Sequence, residues 1–413
     1  MIKPQTLKGF RDFLPEEKRK RDWLIRRIVE VFDRFGFEPL ETPTLEYSEL
    51  LLGKYGAEAD KLVYTFKDKG GRHVGLRYDQ TVPSARILAQ YKDLLPKYFR
   101  RYQIQNVFRA EKPQKGRYRE FTQCDIDIFG TNDPISDAEI IACTYFAFKS
   151  VGFQNVILKV NDRQTLLNNL EPFATENLSV FSIIQSIDKL DKVSIVEVIA
   201  ELTKKGLTKE KAEKALDNIQ SASSSDNLKE IINFTKLLGV PAKQLLFTSN
   251  LARGLDYYTG MIFEVSVPEY SSGSLGGGGR YDNLIKQLGG GISIPAVGIA
   301  FGFDRMLEAA DELGYIKIAS LGTQVLITIF SKELLNQSIP FANHLRSENI
   351  ATEVYVNSDD KLDKQLKYAD RKGIPFVVII GPTEAQQNKV KLKDMKSGTE
   401  ELLTIDQLLE KLK

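Results

Sequence analysis

The chain begins with a stretch in which apolar residues recur at helical spacing. Between Pro15 and Phe35, the side chains of Trp23, Ile28 and Phe32 fall on one face among charged residues. This pattern predicts an amphipathic helix that ends at Gly36, because glycine readily adopts the conformation that closes a helix. The Pro-interrupted stretch FEPLETPTLEY follows and favours a strand at a sheet edge or in an interface.

Two apolar runs, YQIQNVFRA and REFTQCDIDIFG, lie between Tyr98 and Gly130. They flank KPQKGRY, whose proline, glycine and charge content is typical of a hairpin tip, so a long antiparallel hairpin is predicted. Before it, VGLRYD predicts a short strand that leads to a helix near Pro83, with Thr81 as its cap. After it, MIFEVSV and IPAVGIAFG predict strands on either side of a glycine run.

Helical patterns dominate residues 171–234, and beyond about residue 320 strand patterns alternate with helical ones. The alternation predicts a separate α/β domain at the C-terminus. Together the patterns predict an α+β fold. Residues 1–170 and 235–319 would form an antiparallel sheet flanked by helices, residues 171–234 a helical insertion, and residues 320–413 the α/β domain.

The composition narrows the functional classes. A length of 413 residues suits two or three domains, and 57 basic against 55 acidic side chains leave a net charge of +2, so any polyanion site must be local. Two cysteines and two histidines, far apart, exclude a disulfide framework and the usual zinc sites, and we expect no metal site. The N-terminus lacks a signal-peptide pattern and no apolar run is long enough for a bilayer, which predicts a cytoplasmic protein without membrane contact.

Phosphate binding would depend on side chains, because neither a P-loop nor a dinucleotide-binding glycine motif is present. Residues 97–119 carry eight basic side chains and one acidic side chain, Glu111. This local excess of positive charge favours polyanion binding. Composition alone also permits a solvated charged hairpin.

Three further segments carry candidate chemistry. RGLDYYTG, from Arg253, brings an arginine, a carboxylate, two phenols and a hydroxyl together; the alternative is a turn capped by Asp256. In SLGGGGRYD, four glycines allow close approach of the backbone to a ligand and unusual backbone angles, or else form a flexible loop. GIAFGFDRM places Arg305 at the start of a helix, where it meets a base or phosphate unless it is merely exposed.

These segments resemble a known family. FRAEKPQKGRYREFTQCDIDIFG resembles the second motif of class II aminoacyl-tRNA synthetases, and AVGIAFGFDRM resembles the third. RGLDYYTG and GGGGRYD are similar to the two histidine-specific motifs of histidyl-tRNA synthetases, and KGFRDFLP also fits that family. The α/β tail is similar to the class IIa anticodon-binding domain. LRYDQTVP and QCDID carry aspartates where many bacterial members have glutamate, as archaeal and eukaryotic members do.

The resemblance implies a dimeric ligase that forms histidyl-adenylate from L-histidine and ATP with Mg²⁺, and then transfers histidine to the 3′ end of tRNA(His). Arg109 would grip the α-phosphate and carboxylate region, and Arg305 would lie against adenine and reach the phosphates. Arg253 would bridge the carboxylate and the α-phosphate, where other class II enzymes use a metal ion. Phe121 would stack on adenine, and Glu111 would read its edge.

The resemblance also implies a histidine pocket and a tRNA surface. The α-amino and carboxylate groups would be held by Asp79, Thr81 and Gln123, the ring nitrogens would meet Asp127 and Tyr258, and the pocket would be lined by Tyr257 and Tyr281. Asp125 receives no role. The acceptor end of tRNA would meet Gln114, Lys115, Arg117 and Arg119, and the tail would meet the anticodon near residues 361–372.

Three other functions compete with this one. The histidyl-synthetase-like regulatory subunit of ATP phosphoribosyltransferase shares the core and binds histidine without charging tRNA. Intact RGLDYYTG, Arg109, Arg305 and a full tail favour the enzyme over it. A synthetase for threonine or proline is disfavoured by the missing zinc ligands, and a plain RNA-binding module would not need the pocket residues.

Overall fold

The computed structural model describes residues 3–53, 60–112, 118–191, 193–253, 257–270, 273–286, 293–317 and 322–413. The chain divides into two compact units. One unit contains Met1–Asp12 and Leu24–Tyr315, and the other contains Phe13–Trp23 and Ile316–Lys413. Each helix in the described part of the chain is too short or too polar to cross a bilayer.

The first unit is built on one large sheet and one small sheet. The large sheet contains β1 (Glu38–Pro39), β5 (Phe99–Phe108), β6 (Glu120–Phe129), β7 (Ile157–Asp162), β8 (Leu245–Phe247), β9 (Met261–Ser266), β10 (Gly276–Arg280) and β11 (Ala296–Phe301), and the small sheet contains β2 (Leu45–Tyr47), β3 (Thr65–Lys67) and β4 (His73–Leu76). The order of the large sheet is β1-β5-β6-β11-β10-β9-β7-β8. Its inner strands pair antiparallel, and the outer strands β1 and β8 pair parallel with their neighbours. The predicted antiparallel sheet and its long β5–β6 hairpin are confirmed.

The glycine run forms strand β10 in the middle of the large sheet. Residues 276–279 are buried and pair with β9 on one side and β11 on the other. The prediction of unusual backbone angles is wrong, since none of these four glycines has a positive φ. Hydrogen bonding to two neighbouring strands offsets the low strand propensity of glycine. The missing side chains leave room above the strand.

Helices flank this sheet, and the first of them lies where the sequence predicted it. They are α1 (Pro15–Arg34), α2 (Ser48–Leu51), α3 (Thr81–Gln90), α4 (Pro134–Val151) and α10 (Phe303–Glu312). Gly36 follows α1 with a φ of 71°, as its predicted role requires. The predicted cap of α3 is wrong: Thr81 is its first residue, and the Asp79 Oδ1 atom accepts a hydrogen bond from the Val82 amide at 3.1 Å.

A run of helices connects β7 to β8. They are α5 (Arg163–Leu170), α6 (Val180–Ile187), α7 (Ile195–Lys204), α8 (Lys209–Gln220) and α9 (Asp226–Leu237). Helices α5 to α8 pack against one another around buried side chains that include Leu166, Ile183 and Ile219, whereas α9 packs against α4. The insertion limits of 171 and 234 stay a prediction, because this region lies in the same compact unit as the sheet.

The second unit contains the predicted α/β tail. Its elements are β12 (Val325–Ile327), α11 (Leu335–Ser347), β13 (Thr352–Val354), α12 (Leu362–Lys372), β14 (Phe376–Ile379), α13 (Pro382–Gln386), β15 (Val390–Asp394), β16 (Glu400–Leu403) and α14 (Ile405–Leu412). Strands β13, β12 and β14 are parallel, and β15 and β16 extend the sheet antiparallel. The sequence reading missed this last hairpin, although VKLKD alternates in polarity and a glycine turn follows it.

Candidate active site

A cavity of about 1290 Å³ lies over strands β6, β9, β10 and β11. The segment before α3 and the start of α10 complete its walls. It is lined by all the side chains to which the sequence assigned ATP, histidine or catalytic roles: Asp79, Thr81, Arg109, Glu111, Phe121, Gln123, Asp127, Arg253, Tyr257, Tyr258, Tyr281 and Arg305. Residues more than two hundred positions apart in sequence therefore meet at one site.

The Arg109 side chain is held between two aromatic rings. Its guanidinium carbon lies 4.4 Å from the centre of the Tyr78 ring and 5.1 Å from that of Phe121. Its Nε atom donates a hydrogen bond to the Tyr78 carbonyl at 3.3 Å. These contacts fix the plane of the guanidinium while leaving donors for a ligand.

The Arg253 side chain lies directly over the glycine strand. A Cβ atom on Gly277 would lie 1.3 Å from the Arg253 Nη1 atom, so only glycine leaves space for this guanidinium. Nη1 also lies 3.3 Å from the Glu264 Oε1 atom. Burial alone would lower the pKa of Arg253. The opposing effects of Tyr258, Glu264 and Tyr257 are larger, so the pKa lies above its ordinary value and the group stays charged.

The backbone of Arg253 has a φ of 44°, in the left-handed region that a side chain rarely adopts. Such conformations cost about 1–3 kcal/mol and concentrate at functional sites.

The exposed Arg305 lies near the start of α10 and donates from Nη1 to the Ser274 carbonyl at 3.2 Å.

The floor of the cavity carries a buried polar cluster around Asp127. The Arg101 Nη2 atom lies 2.6 Å from the Asp127 Oδ2 atom, and the Tyr281 hydroxyl donates to Oδ1. A Cβ atom on Gly298 would lie 1.8 Å from Oδ1, so this glycine also makes room for a polar side chain. Burial raises the pKa of Asp127, and Arg101 and the Tyr281 hydrogen bond act against that rise.

Three tyrosines form one wall beside this cluster. The ring centres of Tyr257 and Tyr258 are 4.6 Å apart, and those of Tyr257 and Tyr281 are 6.0 Å apart. Burial raises the pKa of Tyr257 and Tyr281 well above the ordinary value, so their hydroxyls remain protonated hydrogen-bond donors. The wall combines aromatic surface with polar tips, which suits a small polar ring.

The residues assigned to the amino and carboxylate groups lie together at the other end of the floor. Asp79 and Thr81 stand at the start of α3, and Gln123 lies on β6. The Gln123 Nε2 atom donates to the Asp125 Oδ2 atom at 2.6 Å. Its backbone carbonyl accepts a hydrogen bond from the buried Gln80 side chain at 2.9 Å, which ties α3 to β6.

Of the four residues assigned to the acceptor end of tRNA, the structure describes only Arg119. Gln114, Lys115 and Arg117 are outside the described residues. Arg119 donates from Nε to the Glu111 carbonyl at 3.0 Å and from Nη1 to the Lys8 carbonyl at 3.4 Å. It therefore connects the hairpin to the N-terminal segment.

Sequence reasoning missed several charged and aromatic groups in the cavity. Lys159 and Glu264 line it from β7 and β9, where they are cross-strand partners of opposite charge. Each is the only charged residue within an apolar run, VILKV or MIFEV, and this was the signal that could have found them. Tyr78 and Asp125 also line the cavity.

Comparison with known proteins assigns this arrangement to a family. A family profile described as histidyl-tRNA synthetase matches residues 9–306, and one described as an anticodon binding domain matches residues 324–413. A histidine-tRNA ligase from Wolinella succinogenes is 38% identical, over 96% of this chain and 95% of that protein.

Solved structures support the same assignment. A histidyl-tRNA synthetase from Nostoc sp. PCC 7120 superposes with a TM-score of 0.87 at 30% identity, over 100% of this chain and 99% of that one. A Bacillus halodurans structure described as an ATP phosphoribosyltransferase regulatory subunit/histidyl-tRNA synthetase has a TM-score of 0.74 at 22% identity, over 89% of this chain and 97% of that one, and shows the fold alone. From its motifs, its fold and these relatives, the chain belongs to the histidyl-tRNA synthetase family.

Proposed function

We propose that this chain is a histidine-tRNA ligase. In the first step a histidine carboxylate oxygen attacks the α-phosphorus of ATP, the bond to the β-phosphate breaks, and pyrophosphate leaves. In the second step a hydroxyl of the terminal tRNA ribose attacks the histidyl carbonyl, and AMP leaves. The observation that carries the proposal is the convergence of Arg109, Arg253 and Arg305 on the cavity that also holds the Asp127 cluster.

The three arginines would do the electrostatic work of the first step. The carboxylate and the α-phosphate repel each other, so their approach depends on alignment and on neutralising charge. Arg253 is charged, partly buried and fixed over Gly277, and it would bridge the two anions. Arg109 would hold the α-phosphate region, and Arg305 would reach the outer phosphates. No protein nucleophile is required.

Histidine would be selected by polar groups that only an imidazole satisfies. Asp127 and Tyr258 would meet the two ring nitrogens, and Asp79, Thr81 and Gln123 would hold the amino and carboxylate groups. An amino acid whose side chain lacks those nitrogens would leave buried polar groups of the pocket unpaired. In comparable sites this lowers kcat/KM for the analogue about 10⁴- to 10⁵-fold relative to the correct substrate. This is consistent with a short insertion that carries no obvious hydrolytic constellation.

The adenine ring would stack on Phe121, and Glu111 would read its edge. Mg²⁺ would accompany the triphosphate. Among the described residues, no group of three or more His, Cys, Asp or Glu side chains forms a metal site. One carboxylate that lines the cavity, Glu264, together with phosphate oxygens fits the way Mg²⁺ usually binds. The ion would neutralise phosphate charge.

The tRNA would be held at two places. The basic hairpin, with Gln114, Lys115, Arg117 and Arg119, would meet the acceptor end, and the tail would meet the anticodon. The tail carries 13 basic and 13 acidic side chains between residues 324 and 413, so it would bind through local contacts.

We propose a cytoplasmic homodimer. Leu45, Tyr47 and Phe66 on strands β2 and β3 are exposed, and the Tyr47 side chain is 61% exposed. These strands belong to the same small sheet, and exposed apolar groups on one sheet favour an interface. Cys124 and Cys143 are buried thiols, which suits a reducing compartment.

The test is histidine-dependent exchange of labelled pyrophosphate into ATP, measured against a panel of amino acids, and then charging of histidine tRNA. We expect exchange with histidine alone, followed by charging. Tight histidine binding without exchange would instead identify a regulatory subunit. Exchange that responds to threonine or proline would identify another synthetase.

A further inference from the structure

Asp125 lines the cavity without an assigned role. Strand β6 turns the side chains of Gln123, Asp125 and Asp127 to the same face, because alternate residues of a strand share a face, and all three line the cavity. The cross-strand neighbours of Asp125 are Gln103 on β5 and Ala300 on β11. Ala300 therefore contributes only a methyl group beside the Asp125 carboxyl group.

Asp125 sets the orientation of the Gln123 amide. The Gln123 Nε2 atom donates to the Asp125 Oδ2 atom at 2.6 Å, so the amide oxygen of Gln123 is the atom left for a ligand. Among the described residues, neither this Oε1 atom nor the Asp125 Oδ1 atom has a hydrogen-bond partner, and both atoms are buried. Asp125 itself is 4% exposed. When Asp125 is ionised, the cavity therefore presents two adjacent acceptors that lack donors.

The surrounding charges select a cationic donor. Asp79 and Asp127 add negative charge near Asp125, and the buried Arg101 pairs with Asp127. A buried acceptor without a donor costs about 1–3 kcal/mol, so a bound ligand that supplies donors is stabilised here. An ammonium group carries three donors and a positive charge, and it satisfies both acceptors at once.

We propose that the Asp125 Oδ1 and Gln123 Oε1 atoms together receive the α-ammonium group of the bound amino acid, so that Asp125 is a substrate-binding and specificity-determining residue. This inference rests on the proposed function and deepens it. Asp125 contributes both directly, through Oδ1, and indirectly, by holding the Gln123 amide. Loss of the carboxylate charge weakens ligands that carry an ammonium group and spares those that lack one.

The protonation of Asp125 gives a second signature. The pKa of Asp125 is raised to about 8, chiefly by burial. Arg101 and the Gln123 hydrogen bond oppose this rise, and the negative charges of Asp127 and Asp79 add to it. Near neutral pH, and without a ligand, the Asp125 carboxyl group is therefore mostly protonated. A bound ammonium stabilises the ionised carboxylate and expels the proton, so affinity increases as the pH rises toward 8 and levels off above it.

The experiment compares three ligands on the wild-type chain and on Asp125→Asn. Histidine and histidinol carry the ammonium group, whereas imidazolepropionate carries the ring and carboxylate without it. We expect Asp125→Asn to weaken the first two about 10- to 100-fold, the range for a hydrogen bond between charged groups, and imidazolepropionate less than about threefold. Glu120→Gln on the same strand, outside the cavity, is the matched control and should leave all three dissociation constants unchanged.

Equal losses for all three ligands, or no loss for histidinol, would overturn the inference. Should Asp125→Asn fail to fold, calorimetry on the wild-type chain at pH 7 in buffers of different ionisation enthalpy decides the matter. Histidinol should release about one more proton than imidazolepropionate does; equal release would refute the contact. If the wild-type chain exchanges pyrophosphate in the presence of histidine and Asp125→Asn binds histidine as tightly as the wild type, only this inference fails. If the wild-type chain shows no exchange, the proposed function itself fails.

Discussion

Two glycines show how single residues shape this site. A Cβ atom at Gly277 would collide with Arg253, and one at Gly298 would collide with Asp127. Glycine weakens a strand because it has no side chain to pack and loses more backbone freedom on folding. Here the missing side chains leave room for Arg253 over Gly277 and for Asp127 over Gly298. The positions that weaken the strands are therefore those that make space for the functional groups.

Gly277→Ala should separate catalysis from folding. The added methyl group meets only the far end of a flexible arginine, so Arg253 moves and the strand remains. We expect kcat for adenylate formation to fall about 100-fold or more, the effect of losing one transition-state donor, with a small change in melting temperature. Gly276→Ala is the control, because its Cβ atom meets nothing closer than 3.3 Å. Comparable activity losses in both variants would contradict this account.

Arg253→Ala tests the same guanidinium by removing it. The proposed bridge between carboxylate and α-phosphate is strongest when the two anions meet, so its loss should reduce kcat for pyrophosphate exchange about 10²- to 10³-fold. The KM for histidine should change much less. Arg253→Lys keeps the charge without the fork of donors and should recover only part of the rate. An unchanged kcat in Arg253→Ala would remove this residue from the mechanism.

At the scale of elements, alternation and turn chemistry predicted the β5–β6 hairpin, and helical spacing predicted α1. Strand β10 escaped prediction because its glycines carry no pattern, and only pairing with β9 and β11 makes them a strand. The cap of α3 was misassigned because Asp79 and Thr81 are both good capping residues and the fold decides between them. Lone charges in apolar strands, such as Lys159, needed the cross-strand register to reveal their partner.

The hairpin is the element whose role depends most on charge. If its basic side chains contact tRNA phosphates, the KM for tRNA in the charging reaction should rise steeply between about 50 and 200 mM salt, while exchange without tRNA changes little. Replacing Lys115 and Arg117 by alanine should raise that KM and flatten the salt slope by roughly one per lost contact. A KM for tRNA that is flat with salt would argue against a hairpin contact.

At the scale of the whole molecule, every residue to which the motifs gave an ATP, histidine or catalytic role lines one cavity, and the roles themselves stay a prediction. The motifs could not rank Asp125, because the family pattern gives it no role. The division into units follows the change from an antiparallel sheet to alternating strands and helices, which the sequence makes visible near residue 320. The β15–β16 hairpin extends the second unit and was hidden by its short, charged strands.

The proposed division of labour between the units predicts separable defects. Lys361, Lys364 and Lys367 are exposed on and beside α12, within the region expected to meet the anticodon. Changing all three to glutamate should raise the KM for tRNA about tenfold or more by replacing attraction to phosphate with repulsion, and leave pyrophosphate exchange intact. Lys396→Glu, exposed elsewhere in the same unit, is the control. A loss of exchange in the triple variant would contradict the separation.

The central claim is that charged side chains bring the histidine carboxylate and the α-phosphate together, so that a carboxylate oxygen attacks the α-phosphorus. The most direct measurement is charging of tRNA with histidine labelled with ¹⁸O in both carboxylate oxygens, followed by mass spectrometry of the AMP. Attack of the carboxylate on the α-phosphorus leaves a single labelled oxygen in each AMP after histidine is transferred. AMP that carries no label would show that the phosphorus was attacked by another group, and the account would be wrong.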